Sequence, residues 1–158
     1  MNERSASRPG ELLRRLVDLA SHRTGAVVAL MDEVGVTLPQ VLLMSQVERF
    51  GSASVSDLAG GSSASAAALS QMIERLVRQG MLTRSEHLTD RRRKAIQVTR
   101  RARLLLRKLE AARSADYEAG LKPLSQGLKK RLAAVLELAV ADIENARQRG
   151  SGVATFSE

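Results

Sequence analysis

A run of one acid and four cations, Asp90-Arg91-Arg92-Arg93-Lys94, is the segment of this chain best suited to hold a charged partner. Short apolar-alternating runs flank it and predict two strands, Met81 to Leu88 and Ala95 to Val98. Four consecutive cations at the tip of such a hairpin repel one another, so they need water or a polyanion nearby. The hairpin therefore predicts a binding surface and not a part of a core.

The excess positive charge of the chain is concentrated around this hairpin. The 158 residues carry a formal net charge of +8. Residues 84–113 contain 11 Lys or Arg and 3 Asp or Glu, whereas the rest of the chain contains 14 of each. Twenty of the 25 cations are Arg, whose guanidinium suits bidentate contacts with phosphates and bases. Charge that served only solubility would not be confined to one segment, so a nucleic-acid partner is favoured.

The helix predicted before the hairpin, from about Ser65 to Arg78, has one apolar face and one polar face. The apolar face carries Leu69, Met72, Ile73, Leu76 and Val77. The other face carries Ala64, Ala67, Gln71, Glu74, Arg75 and Arg78. Small residues on this face would let the backbone approach a groove of DNA, and the Gln71 amide could pair with an adenine edge. A helix followed by a basic hairpin is the arrangement of a winged helix-turn-helix.

The remaining pattern predicts more helices on both sides of this region. Residues 1–9 are polar and predict a disordered arm. Apolar residues have helical spacing from Glu11 to Val34, and Gly35 ends that pattern. Two shorter helices follow, from Leu38 to Phe50 and, capped by Ser54, from Val55 to Ala59. Thr99 can cap a long helix to about Gly120, with an apolar series of Leu104, Leu105, Leu109 and Ala112.

The last predicted helix opens at Pro123, runs to about Arg149 and is too apolar to stay exposed. Its stripe is Leu124, Leu128, Leu132, Val135, Leu136, Ala139, Val140 and Ile143. The helix lies beyond the predicted DNA-contacting segment, so it needs another surface to cover it. Pairing with the first helix and with a second copy of the chain is the simplest solution. The sequence thus predicts a homodimer.

Several other kinds of function lack the residues they would require. The chain has no cysteine, which excludes disulfides and thiolate metal sites. His22 and His87 are the only histidines, so we expect neither a zinc site nor another cofactor. No carboxylate pair, Ser/His/Asp set or phosphate-binding loop stands out, and Gly60-Gly61 lacks a following Lys, so an enzyme is not expected. Without a signal peptide or a run of 18 apolar residues, we expect a cytoplasmic protein with no membrane partner.

The motifs around the hairpin resemble those of the MarR-type transcriptional regulators. The motifs in question are Leu58-Ala59, Leu69-Ser70-Gln71-Met72-Ile73-Glu74-Arg75-Leu76, Gly80-Met81-Leu82-Thr83-Arg84, Asp90-Arg91-Arg92 and Val98-Thr99. The resemblance implies a mainly α fold with a small β-hairpin wing. Each subunit would be a winged helix-turn-helix with long N- and C-terminal dimerisation helices.

The same resemblance assigns DNA-contacting roles to particular positions. Ser65, Ser70 and Gln71 fall where the recognition helix of the family touches DNA, and Arg75 falls on the Arg of its Asp-Arg-Leu pattern. Arg92 matches the wing arginine that enters the minor groove, and Asp90 matches the acid that shapes the wing. Together with the neighbouring surface residues, the expected DNA-binding set is Ser65, Ala67, Ser70, Gln71, Arg75, Arg91, Arg92, Arg93 and Lys94.

The sequence departs from the family pattern at three places. Gln71 stands where an Arg is common, Ala102 replaces a common Gly after the second strand, and Gly60-Gly61 replaces bulkier turn residues. The first departure bears on which operator sequence is recognised and not on whether DNA is bound. The other two predict an altered turn and an altered wing junction. For ligands, the resemblance places a pocket where the dimerisation helices meet the DNA-binding part. His22, Arg23, Met31 and Met44 are candidates for positions near it.

The combined expectation is a dimeric repressor that binds double-stranded DNA at a pseudo-palindromic operator and is released by a small effector. The predicted regions are an arm at 1–9, a dimerisation helix at 10–35, a winged helix-turn-helix at 36–113 with the start of the long fifth helix, C-terminal dimerisation helices at 114–149 and a tail at 150–158. A ligand-independent architectural or constitutive DNA-binding protein of the same fold is the main alternative. A helical enzyme and an adaptor that binds RNA or acidic proteins are further alternatives, although the stacking aromatics of RNA-binding modules are missing.

Overall fold

The computed structural model describes residues 8–21, 25–59, 65–86 and 94–151, and the following concerns these residues. They form a mainly helical protein with one two-stranded antiparallel sheet, which confirms the predicted fold class. In chain order the elements are α1 (Pro9–Ala20), α2 (Gly25–Val34), α3 (Leu38–Phe50), α4 (Val55–Ala59), α5 (Ala66–Arg78), β1 (Leu82–Glu86), β2 (Lys94–Val98), α6 (Arg100–Gly120) and α7 (Gln126–Ser151).

The chain divides into two compact units. The central unit is Ser21–Asp116, which holds α2 to α5, the sheet and most of α6. The terminal unit combines Met1–Ala20 with Tyr117–Glu158 and so contains α1, the end of α6 and α7.

The core of the central unit is aliphatic, as the low aromatic content predicts. Its most deeply buried side chains come from α3, α4, α5, the sheet and the residue before the sheet; they are Met44, Val47, Leu58, Ile73, Leu76, Met81, Leu82 and Ile96. On α5 the buried residues Leu69, Ile73 and Leu76 recur every three or four positions. This spacing places one face of α5 in the core and leaves the opposite face exposed.

Local signals set the bounds of α3 and α4. The Thr37 N–H donates to the Gln40 Oε1 at 2.9 Å at the start of α3, and Gly51 ends the helix with a φ of +69°. At the start of α4, the Ser54 N–H donates to the Asp57 Oδ2 at 2.8 Å, and the Asp57 N–H donates back to the Ser54 Oγ at 3.2 Å. These reciprocal bonds satisfy two N–H groups that have no partner within the helix.

The sheet is attached to the helix-turn-helix through one isolated bridge. In the hairpin, Leu82 pairs with Val98 and Arg84 pairs with Ile96. The Ile96 N–H then donates to the Ala53 carbonyl at 2.8 Å, and the Ala53 N–H donates to the Ile96 carbonyl at 3.1 Å. Because Ala53 directly precedes the cap of α4, these two bonds fix the base of the wing against the start of the helix-turn-helix.

The terminal unit buries little apolar surface by itself. Gly120 lies against the backbone of Ala20, where a Cβ on residue 120 would overlap the Ala20 carbonyl. None of the described side chains of α7 is buried. The exposed large apolar residues of the unit are Leu12, Leu13, Val17 and Leu19 on α1 and Leu128, Val135, Leu136, Leu138, Val140 and Ile143 on α7.

Several helix boundaries differ from the sequence predictions. The helix predicted from Glu11 to Val34 is two helices, because Ser21 is not helical; Ser and Gly25 are poor helix formers. Helix α1 begins at Pro9, within the predicted arm, and residues 1–7 lie outside the described residues. Helix α7 begins at Gln126 and not near Pro123, since a turn follows α6 in which the Leu124 N–H donates to the Leu121 carbonyl at 3.1 Å.

The predicted core series of α6 was wrong at one position. Leu104 is 50% exposed, whereas Leu105 and Leu109 are buried together with Ala102 and Leu106. The buried residues recur at positions i, i+3, i+4 and i+7 from Ala102, and Leu104 lies on the opposite side of the helix from this stripe. Ala112 is half-buried.

At the other end of the chain, α7 continues to Ser151, so part of the predicted tail is helical. Leu88, the predicted end of the first strand, and Gly60-Gly61 lie outside the described residues.

No single helix of the described chain is long and apolar enough to cross a membrane. The pair α2 and α3 reaches the required length and composition only together, and the two helices meet at an 85° bend. Leu43, Met44 and Val47 of α3 are buried in the core of the central unit.

Candidate DNA-binding interface

The candidate reading helix α5 begins at a side-chain cap. The Ser65 hydroxyl accepts a hydrogen bond from the Ala68 N–H at 3.2 Å, which satisfies one of the four N–H groups left open at a helix start. Ser65 was predicted as a DNA contact, and the structure adds this capping role. Its hydroxyl hydrogen stays available for an outside acceptor.

The other end of α5 is closed by its own backbone and by the start of α6. Gly80 has a φ of +68°, and the Met81 N–H donates to the Leu76 carbonyl at 2.9 Å, a pattern that ends a helix at glycine. The Thr99 hydroxyl donates to the Gly80 carbonyl at 2.8 Å. The Arg101 Nη1 donates to the Gln79 carbonyl at 3.2 Å. A cation at this end also suits the negative pole of the helix dipole.

The predicted DNA-facing residues of α5 lie on its solvent side. Ala67, Gln71 and Arg75 are exposed and Ser70 is half-buried. Glu74 and Arg78 are exposed on the same helix. A depression of about 580 Å³ separates this face from the start of α3 and is lined by Thr37, Pro39, Gln40, Ala68, Gln71, Met72, Glu74, Arg75 and Arg78. The structure thus places Gln71 and Arg75 side by side, but Ser65, Ala67 and Ser70 do not line this depression.

Sequence analysis did not single out the contribution of α3 to this surface. Thr37, Pro39 and Gln40 belong to the start of α3, about 30 residues before Ala68 in the chain. The Thr-x-x-Gln spacing of a capping box was the signal that a helix start lies there. Its position beside α5 depends on tertiary packing and is not encoded locally.

The tip of the wing lies outside the described residues. Asp90, Arg91, Arg92 and Arg93 belong to that segment, and Lys94 is the first residue of β2. The described residues of β1 and β2 are paired, and α5 contacts β1. On β1 the Arg84 side chain is exposed. The DNA contacts of the wing therefore remain predictions from the sequence.

A second concave site lies between α2 and α6. It is a cleft of about 420 Å³ lined by Leu30, Glu33, Val34, Met81, Arg100, Arg101, Leu104, Leu105 and Lys108. Five of these side chains are apolar, and three cations outnumber the one acid. We refer to it as the α2–α6 cleft.

The residues suggested from sequence for a ligand pocket do not line the α2–α6 cleft. Met44 has no exposed surface and belongs to the core. Met31 is half-buried against the core and is not among the lining residues. His22 and Arg23 lie outside the described residues. No group of His, Asp and Glu able to hold a metal ion occurs in the described part of the chain.

Comparison with known proteins points to the same part of the chain as a DNA-binding region. The model of the MarR family matches residues 36–94, from the start of α3 to the first residue of β2. No curated protein matches the chain. The transcriptional regulator Tm0710 of Thermotoga maritima superposes with a TM-score of 0.72 at 17% identity, over 88% of this chain and 96% of that one.

Two further solved structures share the fold at similarly low identity. A point mutant of MepR from S. aureus, bound to an oligodeoxyribonucleotide, has a TM-score of 0.58 at 15% identity and covers 85% of this chain and 94% of its own. BpsR of Bordetella bronchiseptica, whose DNA binding is regulated by 6-hydroxynicotinic acid, has a TM-score of 0.50 at 18% identity, over 89% and 98%.

A reading helix with an exposed polar face, followed by a two-stranded wing, defines a winged helix-turn-helix DNA-binding protein. The matched segment contains that arrangement up to the first residue of β2; in the chain, α1 and α2 precede it and α6 and α7 follow it. Residues 36–94 match the MarR family of transcriptional regulators, and the chain shares its fold with solved structures of such regulators. Regulators of this family are not enzymes.

We expect Gln71 to contribute to base recognition. Gln71→Ala should relax sequence preference at one position of each half-site, because one good bidentate base contact is worth about 1–3 kcal/mol of discrimination. Titrations with operator DNA, its single-base variants and random DNA would measure this effect. Gln148→Ala, at an exposed glutamine of α7, is the matched control. If Gln71→Ala weakened operator and random DNA equally, Gln71 would contact the backbone and not a base.

Proposed function

We propose that this protein is a dimeric, sequence-specific repressor whose two subunits bind a pseudo-palindromic operator and release it when an anionic effector binds. The exposed polar face of α5 beside the base of the wing is the observation that carries the proposal. DNA binding is supported by the match of residues 36–94 to the MarR family, and the specificity, the dimer and the effector are the finer parts of the proposal.

In the proposed complex, α5 enters the major groove with Ser65, Ala67, Ser70, Gln71 and Arg75 toward DNA. Small side chains near its start allow close approach, and Gln71 and Arg75 supply an amide and a guanidinium for base edges or phosphates. The wing, with Arg91, Arg92, Arg93 and Lys94 at or next to its tip, would lie along the minor groove, where arginine is favoured by the negative potential. Asp90 would shape that tip.

Selection of bound fragments from random DNA tests the main proposal. We expect a pseudo-palindrome with half-sites about 10 bp apart, because two symmetric reading helices bind one helical turn apart.

Operator affinity should also depend strongly on salt. With roughly 6–10 phosphate contacts, it should fall about a thousandfold or more between about 50 and 200 mM salt. Arg92→Ala should reduce the salt slope by about one per subunit. A single asymmetric half-site, a flat salt response or equal competition by RNA would each contradict the proposal.

The proposed dimer rests on the terminal unit. Val135 and Leu138 of α7 are 63% and 70% exposed in the single chain, and α1 adds further exposed leucines. A shallow groove of about 320 Å³ beside them is lined by Glu118, Leu121, Lys129, Lys130, Leu132, Ala133 and Leu136. A long helix with this much exposed apolar surface is covered most simply by the same surface of a second copy.

Two arginines on the apolar face of α7 should break this dimer. Leu136 and Ile143 are exposed in the single chain, so Leu136→Arg with Ile143→Arg should give monomers or aggregates without disturbing packing inside one chain. Asn145→Arg with Gln148→Arg adds the same charge at exposed polar positions of the same helix and should leave the dimer intact. Sedimentation at micromolar concentration would compare the two. A monomeric native protein would refute the dimer.

The proposed effector site is the α2–α6 cleft. Its volume of about 420 Å³ is in the range of small-molecule sites. Leu30, Val34 and Leu104 give it apolar walls, while Arg100, Arg101 and Lys108 bring positive charge. This combination favours a small apolar molecule with a negative group. The regulation of BpsR by 6-hydroxynicotinic acid shows that a protein of this fold can respond to such a compound.

An apolar anion should therefore lower operator affinity through this cleft. We would use 1-anilinonaphthalene-8-sulfonate, follow its binding by fluorescence and measure operator affinity at each concentration. Leu104→Glu places a negative charge on the cleft wall and should abolish the response. Leu42→Glu makes the same change at a leucine that is 61% exposed and does not line the cleft, so its response should persist. An unchanged operator affinity at saturating probe would favour a constitutive regulator of the same fold.

A further inference from the structure

Gln79 joins the end of the reading helix to two other elements of the central unit. Its side-chain Nε2 donates to the carbonyl of Gly35, just after α2, at 3.1 Å. Its main-chain carbonyl accepts from the Arg101 Nη1 in the first turn of α6 at 3.2 Å. One residue therefore connects the C-terminal end of α5 with both α2 and α6.

The amide of Gln79 is poorly suited to packing alone. With Nε2 turned toward the Gly35 carbonyl, Oε1 points the other way, where it is buried and has no hydrogen-bond partner among the described residues. A buried acceptor without a partner costs stability. A methionine would fill a similar space without that cost, so the value of the amide lies in the bond that Nε2 makes to Gly35.

Arg101 brings this connection into the α2–α6 cleft. Its guanidinium holds the Gln79 carbonyl, and the same side chain lines the cleft. A carboxylate or sulfonate accepts a charge-assisted hydrogen bond that is stronger than the bond to a neutral carbonyl. Because the guanidinium has five N–H donors and one bond to Gln79, an anion in the cleft would weaken that bond by drawing the whole group toward itself. Val34 also lines the cleft, next to Gly35.

We propose that Gln79 and Arg101 are positioning residues, which hold the C-terminal end of α5 in its DNA-binding orientation, and that an anion in the cleft lowers operator affinity by drawing Arg101 away from Gln79. The positioning role requires only that the protein binds DNA. The anion step rests on the effector response proposed above. By linkage, the factor by which the anion weakens DNA binding equals the factor by which DNA weakens anion binding.

The first arm of the experiment uses DNA alone. Arg101→Gln is compared with Arg100→Gln, which removes the same charge from the adjacent cleft residue. We expect Arg101→Gln to weaken operator binding about tenfold more than Arg100→Gln, as loss of a charge-assisted hydrogen bond would, while random DNA is weakened equally by both. Arg101→Lys, which keeps the charge and a donor, should restore part of the loss.

Gln79→Met extends the first arm. It should leave thermal stability unchanged or raise it, because it removes the unpaired acceptor, and yet it should weaken operator binding relative to random DNA. A purely structural glutamine would instead lose stability without a change in discrimination. Equal operator losses for Arg101→Gln and Arg100→Gln, or unaltered discrimination in Gln79→Met, would overturn the positioning role.

The second arm measures the effect of 1-anilinonaphthalene-8-sulfonate on operator affinity at saturating probe, after its binding to each variant has been measured directly by fluorescence. Arg100→Gln should bind the probe more weakly but show the wild-type loss of affinity at saturation. Arg101→Gln should show almost no further loss, because its contact with Gln79 is already gone. A wild-type loss in Arg101→Gln would overturn the anion step. If the wild-type protein itself gave no loss, the effector proposal would fail, and the first arm would still decide the positioning role.

Discussion

The orientation of the reading helix depends on how its C-terminal end is fixed. The Thr99 hydroxyl donates to the Gly80 carbonyl at the end of α5 and accepts from the Ala102 N–H at the start of α6. The Thr99 N–H also donates to the Met81 carbonyl at 3.0 Å. One residue thus ends α5, closes the base of the hairpin and begins α6. The hairpin can reach DNA together with the reading helix only if its two strand ends are fixed to that helix. These bonds therefore set the geometry of the proposed DNA-binding interface.

Helix α5 combines this anchoring with two faces of opposite character. Leu69, Ile73 and Leu76 are buried, and their apolar contacts hold the helix against the core. Gln71 and Arg75 lie on the exposed side, where substitutions change stability little. The fold therefore tolerates an amide at position 71, and the proposed recognition role of Gln71 places no demand on the core.

The features that sequence predicted correctly are those with local signals. The bounds of α3 and α4 and the Thr99 cap follow from residues within a few positions of each helix end. The break after α1 was not predicted, and the predicted start of α7 was wrong, because apolar spacing alone does not show where a periodic segment is interrupted. Leu104 was placed in the core because adjacent leucines fit a helical pattern almost equally well, and only tertiary packing separates them. The α2–α6 cleft brings together Glu33 and Lys108, which are about 75 residues apart, so no local pattern could predict it.

The concentration of positive charge between residues 84 and 113 takes on a second meaning in the structure. Sequence analysis assigned this surplus to DNA, but Arg100, Arg101 and Lys108 line a cleft with apolar walls, and Arg101 also caps the reading helix. The guanidinium of Arg101 is bound to a neutral carbonyl, and a carboxylate or sulfonate would accept a stronger, charge-assisted hydrogen bond from it. In the proposed mechanism, the same charged segment therefore attracts DNA through its wing and senses a competing anion through its helix. Coupling between the two sites then requires no large rearrangement, since one side chain takes part in both.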